Sequence, residues 1–89
     1  MAWTISYTES ALKQLRKLDR QTARHLVDFM DERIAPHADP RDQGKALSGP
    51  AFATLWRYRV GDYRLVCEIQ DGALLILVIQ IGHRKDLYR

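Results

Sequence analysis

Cysteine is nearly absent from this 89-residue chain. Its one copy, Cys67, rules out an internal disulfide and completes no zinc pattern. It lies inside an apolar strand pattern, where a lone cysteine packs as a small hydrophobe rather than a reactive thiol. Histidine is equally sparse, with His25, His37 and His83 scattered, so neither a metal nor a cofactor is expected. Long apolar runs are missing too. The longest covers residues 73–81 and contains Gln80, whereas a helix needs about 20 apolar residues to span a bilayer. Glu9, Lys13, Arg16 and Lys17 interrupt the start, so no secretory apolar core forms there and a cytoplasmic location is expected. Nor does one charge sign dominate: 14 Lys and Arg stand against 11 Asp and Glu, giving a net charge of +3. That excess permits nucleic acid or an acidic protein as a partner without demanding either. Placement of the arginines therefore matters more than their number.

What is present reads as one domain over residues 1–89, of a size that buries about 60–65% of its unfolded surface. Residues 2–7 alternate apolar and polar, with Trp3, Ile5 and Tyr7 on one face of a strand. Thr8 is a good N-cap, and Glu9 complements the dipole of a helix carrying Ala11, Leu12, Leu15 and Leu18. That helix should end near Leu18 or Asp19, and Asp19 should cap a second one. Ala23, Leu26, Val27, Met30 and Ile34 form the second helix's apolar stripe, which Pro36 ends. Residues 37–50 read as a loop, with Pro40, Gly44, Gly49 and Pro50 in it. Three strands follow over residues 54–60, 63–70 and 73–81, joined by Gly61-Asp62 and by Asp71-Gly72, the latter the stronger hairpin signal. The last is apolar on both faces, as an interior strand should be. The expected fold is α+β: two N-terminal helices packed on one face of a small, mostly antiparallel four-stranded sheet, in the order β-α-α-β-β-β.

Strand parity then places the arginines. Arg57 and Arg59 share a face opposite Trp56, Tyr58 and Val60, and Trp56 and Tyr58 should join the core. In the next strand Leu65, Cys67 and Ile69 form one apolar set, while Arg64 falls on the other side with Val66, Glu68 and Gln70. The arginines thus face away from the helices. A solvated sheet face would explain Arg57 and Arg59 by cross-strand pairing alone. Arg64 beside its hairpin and Arg84 just past the last strand suggest more. With Arg57, they form a set of guanidinium groups able to clamp a phosphate and neutralise charge that builds during its cleavage.

Three stretches resemble a known family. They are Leu47-Ser48-Gly49, the block Trp56-Arg57-Tyr58-Arg59-Val60-Gly61-Asp62-Tyr63-Arg64-Leu65-Val66, and the ending Val78-Ile79-Gln80-Ile81-Gly82-His83-Arg84-Lys85-Asp86-Leu87-Tyr88-Arg89. They look like the RelE branch of the RelE/ParE toxin superfamily, and the similarity covers essentially the whole chain. The resemblance implies a RelE-like fold and the toxin of a type II toxin–antitoxin pair. It implies metal-independent cleavage of mRNA in the ribosomal decoding site, by attack of a ribose 2′-hydroxyl on the adjacent phosphate. It further implies a cognate antitoxin that covers the toxin at rest in a hetero-oligomer, acidic and partly disordered when alone. Arg64 and Arg84 match family arginines, and Tyr88 matches a C-terminal tyrosine, with a shorter spacing from Arg84. Arg57 occupies one position of a basic pair whose other position is Leu55, and a basic loop position is Ser48. Those departures leave fewer cations in the site. Lys45, Arg59 and Lys85 are the further cations expected to touch RNA or the ribosome.

The chemistry requires a base, an acid and charge stabilisation. Arg57, Arg64 and Arg84 would supply the last, since arginine stays protonated below about pH 12. Tyr88 can stack on a base, and acts in proton transfer only where nearby cations lower its pKa. His83 is either a general acid or base or a turn residue that holds the strand end. The alternative function is that of the ParE class, a non-catalytic inhibitor of DNA gyrase on the same fold.

Overall fold

The structure, a computed structural model, describes residues 2–47 and 54–83. Strand β1 (Thr4–Tyr7) leads into helix α1 (Glu9–Arg16) through the expected cap, with Thr8 Oγ1 accepting the Ala11 N–H at 3.1 Å. Helix α2 (Arg20–Phe29) starts at Asp19, whose carboxylate accepts the Thr22 N–H at 3.0 Å and the Thr22 hydroxyl at 2.6 Å. Those two bonds hold the Asp19 carboxyl below the usual carboxylate range. The Thr8 cap is worth about 1 kcal/mol. Beyond Phe29 the helix widens into a π turn over Met30–Ile34 and stops before Pro36, as predicted.

The segment from residue 37 onward departs from the expected loop. It carries a 3-10 turn, Pro40–Gln43, and a two-residue strand β2 (Lys45–Ala46). Strands β3 (Leu55–Val60), β4 (Tyr63–Gln70) and β5 (Leu75–His83) complete the sheet. It therefore has five strands rather than four, in the order β1-β5-β4-β3-β2. Only β1 and β5 are parallel; the other neighbours are antiparallel. Tyr58 explains how so short a strand holds. Its buried hydroxyl donates to the Pro40 carbonyl at 2.8 Å and pins the turn that precedes β2. Gly44 follows the turn so closely that a Cβ there would lie 2.9 Å from Tyr58 Cε1 and 3.0 Å from the Arg57 carbonyl oxygen.

The first hairpin is as expected, a two-residue loop with Gly61 at φ +59. The second differs. A 3-10 turn over Asp71–Ala73 precedes β5, and Leu74, not Gly72, takes the left-handed conformation, at φ 49 and ψ 45. The strand consequently begins at Leu75 and not at residue 73.

Both helices cover one face of the sheet. Ala11, Leu26, Met30 and Ile34 pack there against Trp3, Tyr58, Leu65, Cys67, Ile76, Val78 and Ile81. Cys67 is fully buried, and burial pushes its thiol pKa up, in keeping with a packed hydrophobe. Strand β5 contains a bulge. Val66 pairs with Gln80 and Cys67 with Val78, so Ile79 is the extra residue. Its carbonyl accepts the Thr8 hydroxyl at 3.1 Å, and the Ile81 N–H donates to Gln14 Oε1 at 2.6 Å. The N-cap of α1 and a side chain from its second turn thus satisfy backbone groups that the bulge leaves over.

Candidate nucleic-acid interface

Directly paired residues on neighbouring strands point to the same face of a sheet. The row Lys45–Arg57–Val66–Gln80 crosses β2 to β5, and the row Arg59–Arg64–Gly82 lies beside it. Tyr58 and Leu65, which alternate with these residues, are buried under the helices. Lys45, Arg57, Arg59 and Arg64 therefore occupy the opposite face, gathered toward the β3–β4 hairpin. The sequence expectation holds for Arg57, Arg59 and Arg64. Lys45, expected as a further RNA contact within a loop, stands beside Arg57 on the short strand β2 instead.

Two guanidinium groups directly opposite one another, as Arg59 and Arg64 are, destabilise a sheet by some tenths of a kcal/mol. Glu68, the carboxylate on the same face of β4, accepts from Gln70 at 2.7 Å. Among the described residues, no salt bridge reaches Lys45, Arg57 or Arg59. Arg41 shows what a structural arginine looks like in the same molecule. It donates to both Asp71 oxygens, at 3.1 and 2.6 Å, and to Asp39 at 3.4 Å, with its guanidinium 5.8 Å from the Trp56 ring centre. The Asp71 carboxyl is held below its usual range by that arginine. Arg41 is committed to the fold, whereas Lys45, Arg57 and Arg59 form no ion pair among the described residues. An open cleft of about 280 Å³ between the turn and the sheet is lined by Asp42, Gln43, Gly44, Lys45, Arg57 and Arg59.

His83 does not join this group. It pairs with Tyr63, whose ring packs against the core, and the two rings meet edge to face at 5.6 Å. The ring thus lies on the helix-covered side, in a cleft with Gln14, Lys17 and Leu18. Of the two readings the sequence left open, the ring contact fits a residue that holds the strand end, and the placement separates His83 from the arginine rows. Arg84, Lys85 and Tyr88 lie outside the described residues, as does Ser48. Among the described residues no three His, Cys, Asp or Glu side chains cluster as metal ligands, and no helix is long and apolar enough to cross a membrane.

Fold and site together define a small two-layer α+β domain with a cationic sheet face. Residues 5–88 match the family described as the ParE toxin of the type II toxin–antitoxin system parDE, and the chain belongs to that family, within the RelE/ParE toxin superfamily. It is 29% identical over 89 residues to Toxin RelG of Mycobacterium tuberculosis, covering 100% of this chain and 99% of that protein. It is 29% identical to the mRNA interferase toxin RelE of Escherichia coli K12, covering 96% of this chain and 86% of that protein. Among solved structures, the RelBE2 toxin–antitoxin complex of M. tuberculosis contains a chain that superimposes with a TM-score of 0.84 at 27% identity, over 97% of this chain and 95% of that one.

Proposed function

We propose that this chain is the toxin of a type II toxin–antitoxin pair and an endoribonuclease that cuts mRNA in the decoding site of the ribosome. The observation that carries the reading is the placing of Lys45, Arg57, Arg59 and Arg64 in two adjacent rows of one sheet face. Planar guanidinium groups match phosphate oxygens in pairs of hydrogen bonds. In the reaction the ribose 2′-oxygen attacks the neighbouring phosphorus. Negative charge builds on the phosphoryl oxygens, and Arg57 and Arg64, on diagonal positions of β3 and β4, stabilise it. Arg84 and Tyr88 join them by the family resemblance, the tyrosine stacking on a base. Lys45, Arg59 and Lys85 bind the flanking backbone or ribosomal RNA. The ribosome holds the strand, so the toxin supplies positioning and charge rather than a deep pocket.

The partner at rest is an antitoxin, as in the RelB–RelE complexes of its structural relatives. An acidic segment that orders on binding would suit the cationic face. The setting is the cytoplasm, where ribosomes are. A second reading follows from the matched family's description as ParE toxin: the cationic face binds DNA gyrase and does no chemistry.

The test adds the purified chain to stalled ribosomes carrying a defined mRNA and maps new ends by primer extension. Free mRNA and a gyrase supercoiling reaction run in parallel. A cut within the decoding-site codon is expected, absent from free mRNA and slowed about 100-fold or more by Arg64→Ala. Inhibited supercoiling with intact mRNA would favour the gyrase reading instead.

A further inference from the structure

Cleavage by a 2′-hydroxyl needs a group that takes its proton, and the cations of this face are the wrong kind, because guanidinium and ammonium groups are ordinarily protonated at neutral pH. His83 is turned to the other side of the sheet. The cleft beside Arg57 and Arg59 contains one carboxylate, that of Asp42. Other acidic groups nearby are already engaged or elsewhere. Asp39 and Asp71 bond Arg41, Glu68 accepts from Gln70 at 2.7 Å, Asp62 lines a different cleft against α2, and Asp28 and Glu32 of α2 and the turn after it line another on the far side of Arg59, away from Lys45 and Arg57. Asp42 is exposed, and no salt bridge among the described residues neutralises it. It also sits on a fixed element. The turn that carries it is bolted by the Tyr58–Pro40 bond and capped by Asp39, whose Oδ1 accepts the Arg41 N–H at 3.0 Å.

Resting on the nuclease reading above, we propose that Asp42 is the proton acceptor for the attacking 2′-hydroxyl. An aspartate is ordinarily ionised at neutral pH and accepts without prior deprotonation. The 2′-oxygen gives its proton to the Asp42 carboxylate and forms a bond to phosphorus. The bond from phosphorus to the 5′-oxygen breaks, and that oxygen takes a proton from water. One strand then ends in a 2′,3′-cyclic phosphate, the other in a 5′-hydroxyl, and Asp42 returns its proton to solvent. Arg57, which lines the same cleft, holds the scissile phosphate within reach of the carboxylate, while Lys45 and Arg59 beside it take the flanking backbone.

A carboxylate in a phosphate site also opposes RNA binding, which gives the role a signature. In the programmed-ribosome assay, Asp42→Asn should slow single-turnover cleavage about 100-fold, the lower range for general base catalysis. It should leave half-saturation by ribosomes unchanged or tighter, because one negative charge has gone from the RNA face. Asp42→Glu should restore cleavage to within about tenfold of the wild type. Wild-type cleavage with an Asp42→Asn rate within about threefold would overturn the assignment while leaving the nuclease reading intact. So would a slow Asp42→Asn variant with weakened half-saturation that Asp42→Glu fails to rescue, since that pattern marks lost packing. A wild type that leaves ribosomal mRNA uncut would overturn both readings.

Discussion

Replacing Tyr58 with Phe removes one oxygen from the molecule and tests whether β2 is held in place as described. The Tyr58 side chain is fully buried, and its hydroxyl donates to the Pro40 carbonyl at 2.8 Å. The ring itself packs edge-on against Phe29, with centres 6.4 Å apart, and a phenylalanine keeps that contact. The substitution therefore isolates the hydrogen bond. Leaving a buried carbonyl short of its donor costs about 1–3 kcal/mol. For a domain of this size each kcal/mol lowers Tm by about 4–8 °C, so a fall of at least about 5 °C is expected. The loss should also be local. The turn Pro40–Gln43 is tied to the sheet at its start by this bond, and beyond β2 the Leu47 N–H donates to the Leu55 carbonyl at 3.1 Å. Amide exchange over residues 41–47 should quicken about tenfold for each 1.4 kcal/mol lost there, while β4 and β5 follow only the global change. Thermal melts and residue-resolved hydrogen exchange read both effects. A change below about 0.3 kcal/mol, with exchange in 41–47 unaltered, would refute the argument that Tyr58 anchors the segment presenting Lys45.

Two further outcomes follow from backbone strain and from buried acids. Leu74 takes a left-handed conformation at φ 49, which costs an L-residue about 1–2 kcal/mol. Leu74→Gly should stabilise the fold by about 0.5–1 kcal/mol after its own entropy cost, while Leu74→Ala should give no gain; urea unfolding decides. Cys67, Tyr58 and Tyr7 all have acid pKa values raised by burial, that of Tyr7 to about 12. They stay protonated in the native state and ionise on unfolding. Stability should thus be full below about pH 8.5 and fall above it, by about 1.4 kcal/mol per pH unit from the thiol alone, with the tyrosines adding from about pH 10. Cys67→Ala should flatten the slope between about pH 8.5 and 10, and an unchanged slope there would exclude the thiol as its source.

Much of this arrangement was legible because it rests on short-range rules. Thr8 and Asp19 read as caps and are caps. Alternation along residues 55–60 and 63–70 placed Arg57, Arg59 and Arg64 on one face, since each strand keeps strict parity over its length. Lys45 reads as a loop residue because a two-residue strand has no period to detect. What creates it is a long-range contact, the Tyr58 hydroxyl reaching a carbonyl 18 residues earlier. Asp71-Gly72 drew the turn to itself, yet the left-handed residue is Leu74, held by its own N–H bond to the Asp71 carbonyl and by the Thr4 N–H donating to the Leu74 carbonyl at 2.9 Å. Asp42 carries no local signal at all, and its interest arises only from the strand that folds back beside it.

The placement of His83 turns on the bulge, and the bulge has a physical cause. Strict alternation from Ile76 and Val78 would drive the Gln80 amide into the core and turn Ile81 out to water. Burying an amide without partners costs about 1–3 kcal/mol, and exposing an isoleucine forfeits about 1.5–3 kcal/mol more. One extra residue at Ile79 reverses the parity instead: Gln80 is exposed and Ile81 is 2% exposed. The disturbance to the ladder is repaired from α1, by the Thr8 hydroxyl on the Ile79 carbonyl and by Gln14 on the Ile81 N–H. The same reversal carries down the strand. It sends the His83 ring to Tyr63 on the helix side and sets Gly82, which has no side chain, opposite Arg64. An apolar requirement in the core thus sets a residue without a side chain opposite Arg64, and the residues of α1 and its cap that secure the bulge act on the cationic face without touching it.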